Sequence, residues 1–252
     1  MRWIAGLLAL TAFWTPVTAG GRQTNWFFKR TSDHTQPICD ARFSFLEKYP
    51  AYYVDRRSTD ADKVIYLTFD AGYENGNIEK ILDTMKEKQV VSSFFILQNL
   101  VYKNKELLER MANEGHLICN HTAHHKDMAK ATRDVFAAEL AEMENVYKEG
   151  TGRELAKFYR PPEGSFTEEN LQWAAELGYT TVLWSFAYAD WDNAKQPDAE
   201  KSIQKILKRT HNGEIILLHP TSATNAQIMD TLLTEWENMG YRFGLLTELE
   251  GN

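Results

Sequence analysis

Six polar side chains in this 252-residue sequence sit at or just after the ends of short apolar runs. Asp70 closes Val64–Phe69, His121 and His125 follow Leu117–Asn120, and Arg160 follows Phe158–Tyr159. Asp190 comes after Thr180–Trp184, and His219 after Ile215–Leu218. The His-x-x-x-His spacing would set two imidazoles one helical turn apart, which suits one divalent ion. Carboxylates and a further imidazole are the side chains that move protons at neutral pH. Each signal alone is modest. A lone Asp after a strand is more often a helix cap, a histidine pair more often a surface feature, and an arginine before two prolines more often a structural ion pair. Their joint placement carries the weight, because one cleft at the ends of several strands would gather all six.

The elements that must position them alternate. Strand-like runs at Val64–Phe69, Val91–Leu97, Leu117–Asn120, Phe158–Arg160, Thr180–Trp184, Ile215–Leu218 and near Tyr241–Leu245 are separated by helical patterns. The helices are expected over Ile78–Lys88, Lys105–Glu114, Asp134–Glu149, Thr167–Leu177, Ala199–Thr210 and Asn225–Met239. Ile78, Ile81, Leu82 and Met85 recur on one face, as do Phe136, Leu140, Met143 and Tyr147. Strand–helix alternation predicts parallel pairing covered by helices, and about seven units predict a single-domain α/β barrel. Reactive groups in such barrels gather at the C-terminal ends of the strands, where these six lie. Residues 20–61 read as an extension packed on the barrel, with a short helix at Ala41–Lys48.

The ordered set Thr68-Phe69-Asp70, His121-Thr122-x-x-His125, Arg160-Pro161-Pro162, Asp190-Trp191 and Leu217-x-His219 resembles the five motifs of NodB-type polysaccharide deacetylases, carbohydrate esterase family four. The resemblance covers roughly Asp62 to the C-terminus and implies a distorted (β/α)7-type barrel as the catalytic domain, residues 62–252. The stretches Trp26–Lys29 and Tyr66–Gly76, with Asp190-Trp191, are similar to the subgroup that acts on N-acetylmuramic acid during muramic δ-lactam formation in spore cortex peptidoglycan. By this resemblance, His121 and His125 hold a divalent metal, zinc by default, and Asp70 is the general base. Arg160 orients Asp70 and keeps it ionised. His219 is the general acid for the departing amine, and Asp190 tunes it. The metal and a backbone N–H near Tyr73 or Arg160 stabilise the oxyanion. Tyr73, Trp191 and Pro161 are the expected sugar contacts, with Phe166, Trp184 and Tyr188 as further aromatic candidates of which Trp184 reads as core.

The chain departs from the family at position 71. Most members carry a second, metal-ligating aspartate there, and this chain has Ala71. That weakens the metal site to two histidines and waters unless Glu74, Glu163 or His124 substitutes. Two alternatives follow: a deacetylase for N-acetylglucosamine, chitooligosaccharide or exopolysaccharide, and a glycan-binding wall protein with a decayed site. Residues 1–19 read as a secretory signal peptide cut after Ala19, with Arg2 before an apolar stretch too short to span a bilayer comfortably. The rest has no run of ~18 apolar residues, so no transmembrane segment is expected after cleavage. The expected place is the cell envelope or the space between mother-cell and forespore membranes, and the expected partner a peptidoglycan glycan strand met by a monomer. The formal charge is −7, with 28 basic against 35 acidic side chains. No basic patch points to nucleic acid. Cys39 and Cys119 permit one disulfide, but Cys119 lies in an apolar run and reads as a buried thiol.

Overall fold

Short apolar strands that are buried on both faces need helices on their outer side, and this chain builds that arrangement around one parallel sheet. A computed structural model describes residues 24–250; the expected signal peptide, residues 1–19, lies outside the described residues. In chain order the strands are β1 (Thr24–Asn25), β2 (Phe28–Lys29), β3 (Ile38–Cys39), β4 (Ala51–Tyr52), β5 (Val64–Ala71), β6 (Ser93–Ile96) and β7 (Leu117–Asn120). They continue as β8 (Ala156–Tyr159), β9 (Ser165–Phe166), β10 (Thr180–Val182), β11 (Glu214–Leu218) and β12 (Arg242–Phe243). The helices are α1 (Asn77–Glu87), α2 (Gln98–Lys103), α3 (Lys105–Asn113), α4 (Arg133–Thr151), α5 (Glu168–Glu176), α6 (Ala199–Arg209) and α7 (Ala223–Asn238).

The main sheet runs β11-β5-β6-β7-β8-β10-β4, with β12 also on β5, and every ladder in it is parallel. Its ends meet at Ser185–Phe186, where Ser185 N–H donates to Ile215 O at 2.9 Å and Leu217 N–H to Phe186 O at 2.9 Å. The result is a half-barrel with an irregular seam, wrapped by helices, as the alternating pattern predicts. On β5 the period of two decides which side chains reach the interior. Ile65, Leu67, Phe69 and Ala71 join the core beneath the helices, while Val64 and Tyr66 belong to the inner cluster. Asp70 is the one residue of this strand that is not fully buried. Several helices start on side-chain caps: Thr132 for α4, Thr167 with Asn170 as a capping box for α5, Asp198 for α6 and Ser222 for α7.

Three local features differ from expectation, each for a stated reason. The fifth expected strand stops at Val182 rather than Trp184, because the carbonyls of Val182 and Leu183 accept hydrogen bonds from the Arg160 guanidinium at 3.1 and 3.3 Å. Ala51–Tyr52, in the aperiodic stretch, pairs with β10 as an edge strand; two residues are too few to show alternation. Ala41–Lys48 is helical as expected, but as a 3-10 helix with a kink at Phe43. Cys39 and Cys119 are both free thiols, the second buried. Among the described residues, no helix is long and apolar enough to cross a membrane.

Candidate active site

Asp70 sits at the C-terminal end of β5, with its carboxylate gripped from behind. Arg160, fully buried, donates from Nη1 to Asp70 Oδ1 at 2.8 Å. Its other donors are also used: Nη2 reaches Thr68 Oγ1 at 2.9 Å, and Nε reaches Val182 O. The guanidinium lies over the Phe95 ring, 4.1 Å from its centroid. A buried fork with this many partners cannot reorient without breaking hydrogen bonds, so Asp70 is fixed in direction. Burial alone would raise the Asp70 pKa, but His121, Arg160 and His219 together hold it below the usual carboxylate range. Asp70 is therefore an ionised acceptor at neutral pH.

His121 faces the other carboxylate oxygen, Nε2 lying 3.5 Å from Asp70 Oδ2. Its Nδ1 is 2.9 Å from the carbonyl of Arg160. A carbonyl only accepts, so Nδ1 carries the proton and a neutral ring keeps its lone pair on Nε2. Burial is the main reason its pKa falls to about 4. A lone pair and a carboxylate oxygen thus face each other with no hydrogen between them, which favours a cation. His125 approaches from the side, its ring 5.0 Å from that of His121. The two do not lie on a helix, contrary to the spacing argument. Thr122 and His125 both adopt left-handed backbone, at φ 70° and 56°. Asn120 Oδ1 accepts from Thr122 N–H at 2.8 Å, and Thr122 Oγ1 accepts from His125 N–H at 2.9 Å. The intervening turn replaces the helical turn.

The three acidic or imidazole substitutes for a ligand at position 71 separate cleanly. Ala71 itself packs in the core under the helices. Glu74 accepts from the N–H groups of Gly76 and Ile78 at the start of α1. His124 turns outward to Glu139 and Glu142, and these form the one three-donor group among the described residues with ligand atoms within 4.8 Å of one another. Lys126 already reaches Glu139 at 2.6 Å, so an ammonium supplies the positive charge there. Only Glu163 lines the same cavity as His121 and His125.

Across the cavity, His219 is built from the opposite side. Its Nδ1 lies 2.8 Å from Asp190 Oδ1, and its own N–H donates to Asp190 Oδ2 at 2.8 Å. Asn225 Nδ2 donates to the same oxygen at 2.6 Å and to His219 O at 3.0 Å. Tyr188 in turn hydrogen-bonds Asn225. Asp190 is buried, and it fixes Nδ1 as the protonated nitrogen, which turns Nε2 away from the pair. Burial would lower the His219 pKa, but the hydrogen bond and charge of Asp190, with Asp70 nearby, raise it above the usual value.

Asp70, His121, His125, His219, Tyr73 and Trp191 thus line one cavity of about 680 Å³, with Glu163, Trp184, Tyr188, Leu97 and Thr221 also on its wall. Arg160 and Asp190 stand behind Asp70 and His219. Pro161 is buried and lies off the wall. Trp191 is largely exposed, its ring 6.3 Å from that of His219, and Tyr73 is held by Asn193. Sequence reasoning missed Thr68, Asn120 and Asn225 as supporting groups. Thr68 belongs to the first motif and Asn120 directly precedes His121, which is the signal that could have found their supporting role. Asn225 had none, since it looks like the first turn of an ordinary helix.

The polysaccharide deacetylase family model matches residues 57–182. The peptidoglycan-N-acetylmuramic acid deacetylase PdaA of Bacillus subtilis is 39% identical over 227 residues, 89% of this chain and 85% of that protein. A peptidoglycan-N-acetylglucosamine deacetylase of Bacillus cereus is 33% identical over 211 residues, 82% of this chain and 74% of that protein. The solved structure of Bacillus subtilis PdaA, described as a family 4 carbohydrate esterase, superposes with a TM-score of 0.85 at 36% identity, covering 93% of this chain and 98% of that one. With the same half-barrel, the motif residues around one cavity and these relatives, the chain belongs to the polysaccharide deacetylase family and is a carbohydrate de-N-acetylase.

Proposed function

We propose that this enzyme hydrolyses the N-acetyl groups of N-acetylmuramic acid in peptidoglycan, on the route to the muramic δ-lactam of spore cortex. The observation that carries it is the pairing of Asp70–Arg160 with Asp190–His219 across one cavity, in a chain similar over most of its length to a muramic acid deacetylase. Asp70, ionised and aimed by Arg160, takes the proton of the attacking water. His219 Nε2 delivers a proton to the amine as the C–N bond breaks. The N–H of Arg160 donates to Asn120 O at 3.1 Å and is not available to the oxyanion, which leaves the Tyr73 N–H as the backbone donor. Trp191 offers an exposed ring for the sugar.

Deacetylases of this family are metal-dependent. His121 Nε2 and His125 would hold the ion beside Asp70; we propose zinc. Bound there, it would polarise the acetyl carbonyl and acidify the attacking water. Residues 1–19 would direct export with cleavage after Ala19, and residues 62–252 would form the catalytic unit, with residues 20–61 as an N-terminal extension and the enzyme acting as a monomer between mother-cell and forespore membranes. Acetate release from muramoyl glycan fragments and from chitooligosaccharides decides the substrate. Faster release from chitooligosaccharides would replace muramic acid by N-acetylglucosamine. No acetate from either, with zinc, cobalt or manganese supplied, would make the chain a glycan-binding protein.

A further inference from the structure

Asn225 stands behind the cavity wall, yet its side chain ties together the acid half of the site. It is the third residue of α7 and wholly buried. Its own N–H is used by the helix cap, donating to Ser222 Oγ at 3.2 Å. The side-chain amide has other partners. Its NH2 donates to Asp190 Oδ2 at 2.6 Å and to His219 O at 3.0 Å. Its carbonyl accepts from the Tyr188 hydroxyl. The amide cannot face the other way, because a flipped group would set its carbonyl against a carboxylate and a backbone carbonyl, which only accept. A buried amide with its donors and acceptor matched is a fixed dipole. Its positive end points at Asp190 and its negative end at Tyr188.

Tyr188 lies on the cavity wall. Burial and the charge of Asp190 raise the pKa of its hydroxyl, so it remains a donor. Hydrogen bonds in a chain polarise one another, so the Tyr188 O–H on the carbonyl strengthens the N–H groups that Asn225 turns to Asp190. This amide and the His219 N–H both draw on Asp190 Oδ2, while Oδ1 faces the imidazole Nδ1. Each hydrogen bond accepted by a carboxylate makes it less basic. The charged groups facing His219 are Asp190 and Asp70, which raise its pKa, and Arg160, which lowers it as burial does. An imidazolium held too firmly by its carboxylate is a poor acid, and Asn225 is the group placed to weaken that hold.

We infer that Asn225 is a positioning residue that sets the strength of the general acid: oriented by Tyr188, its amide restrains Asp190, so that the His219 imidazolium releases its Nε2 proton to the leaving amine. This rests on the acid role proposed for His219 above and deepens it.

Asn225→Leu keeps the bulk of the side chain and removes the dipole. Asp190 then becomes more basic, and no positive end of an amide opposes the imidazolium. Both effects raise the His219 pKa, by about half a unit for the loss of one hydrogen bond to its partner carboxylate. NMR titration of His219 in the zinc-supplied full chain reads this directly, with the signal assigned by its loss in His219→Gln. The alkaline limb of kcat/KM for acetate release from muramoyl glycan fragments or chitooligosaccharides should move up by the same amount. On the plateau kcat should fall about two- to threefold, since a weaker acid protonates the amine less readily, while KM stays. Tyr188→Phe keeps the ring on the wall and removes the hydroxyl; it should give a smaller shift in the same direction, and it carries the test should Asn225→Leu not fold. A packing role alone predicts the opposite sign. A loosened pair lets Asp190 swing off Nδ1, so the His219 pKa falls and the limb moves down. A His219 pKa that falls or stays in place in the folded variants would overturn the inference. A wild-type alkaline limb that does not follow the His219 titration would remove the acid role itself, and the inference with it.

Discussion

Replacing Asp190 with Asn tests the proton-donating half of the site with almost no change in shape. The carboxylate receives three hydrogen bonds: from His219 Nδ1 on Oδ1, and from the His219 N–H and Asn225 Nδ2 on Oδ2. An asparagine has one oxygen. If that oxygen stays with the two donors at Oδ2, the new NH2 faces Nδ1, and the imidazole must move its proton to Nε2. If it turns to Nδ1, the NH2 meets two donors in a buried site, an unsatisfied arrangement that costs about 1–3 kcal/mol per group. The first arrangement therefore wins, and His219 presents a neutral Nε2–H that is no useful acid. Burial, which Asp190 now overcomes, would be left to lower the His219 pKa. Loss of a general acid predicts a fall in kcat of about 10²–10⁴. The sign for pH follows: a raised pKa keeps the acid protonated to higher pH, so Asp190→Asn moves the alkaline limb of kcat/KM to lower pH. Acetate release across pH, with folding checked by circular dichroism, reads both effects. An alkaline limb that stays in place with kcat within a factor of about ten of wild type would refute the role of His219 as the acid.

Other substitutions probe the remaining parts. Asp70→Asn should lower kcat by about 10²–10⁴ and, by removing a charge that helps raise His219, lower the imidazole pKa followed by NMR titration. His121→Gln with His125→Gln should abolish retention of zinc through dialysis, measured by elemental analysis, while the melting temperature of the dialysed protein changes little. Glu214 is fully buried, and loss of solvent raises its pKa well above the usual value although the His211 backbone opposes the shift. A group protonated when folded and ionised when unfolded adds stability that is lost as pH rises, so Glu214→Gln should flatten the decline of melting temperature above about pH 5. At Gly213, φ is 70° and a Cβ would lie 1.9 Å from Asp55 O; Gly213→Ala should lower the melting temperature by several degrees, reflecting a loss of over ~1 kcal/mol.

The parallel sheet was legible because each buried strand writes itself as an uninterrupted apolar run, and because helices such as α1 repeat their apolar face without a break. The site was legible because proton-transfer groups stand where strands end. What escaped was carried by the backbone. Nothing in His121-Thr122-Ala123-His124-His125 announces that Thr122 and His125 adopt positive φ, since both conformations depend on the Asn120 and Thr122 side chains closing the turn. The same spacing on a helix would give a similar histidine pair, so spacing alone could not choose. β4 escaped because Ala51–Tyr52 owes its place to β10, far along the chain. Among the three carboxylate or imidazole substitutes for position 71, hydrogen bonding and place in the fold separate them: Glu74 accepts at the start of α1, His124 faces Glu139 and Glu142, and only Glu163 lines the cavity.

The two proton carriers are pushed in opposite directions by their surroundings, and each is part of the other's surroundings. Asp70 is held ionised partly by the charge of His219, and the His219 pKa is raised partly by the charge of Asp70. Groups whose pKa values are driven apart are those that divide into base and acid, and here the division exists before substrate binds. The coupling is reciprocal. When Asp70 takes the proton of the attacking water, it loses the charge that helped His219 keep its own. The imidazolium is then a stronger acid at the moment the amine must leave. Arg160 and Asp190 set the two resting states. They are buried, hydrogen-bonded several times over and unable to relax, so the relay between Asp70 and His219 needs no movement of the scaffold. The proton gained on one side of the cleft loosens the proton held on the other.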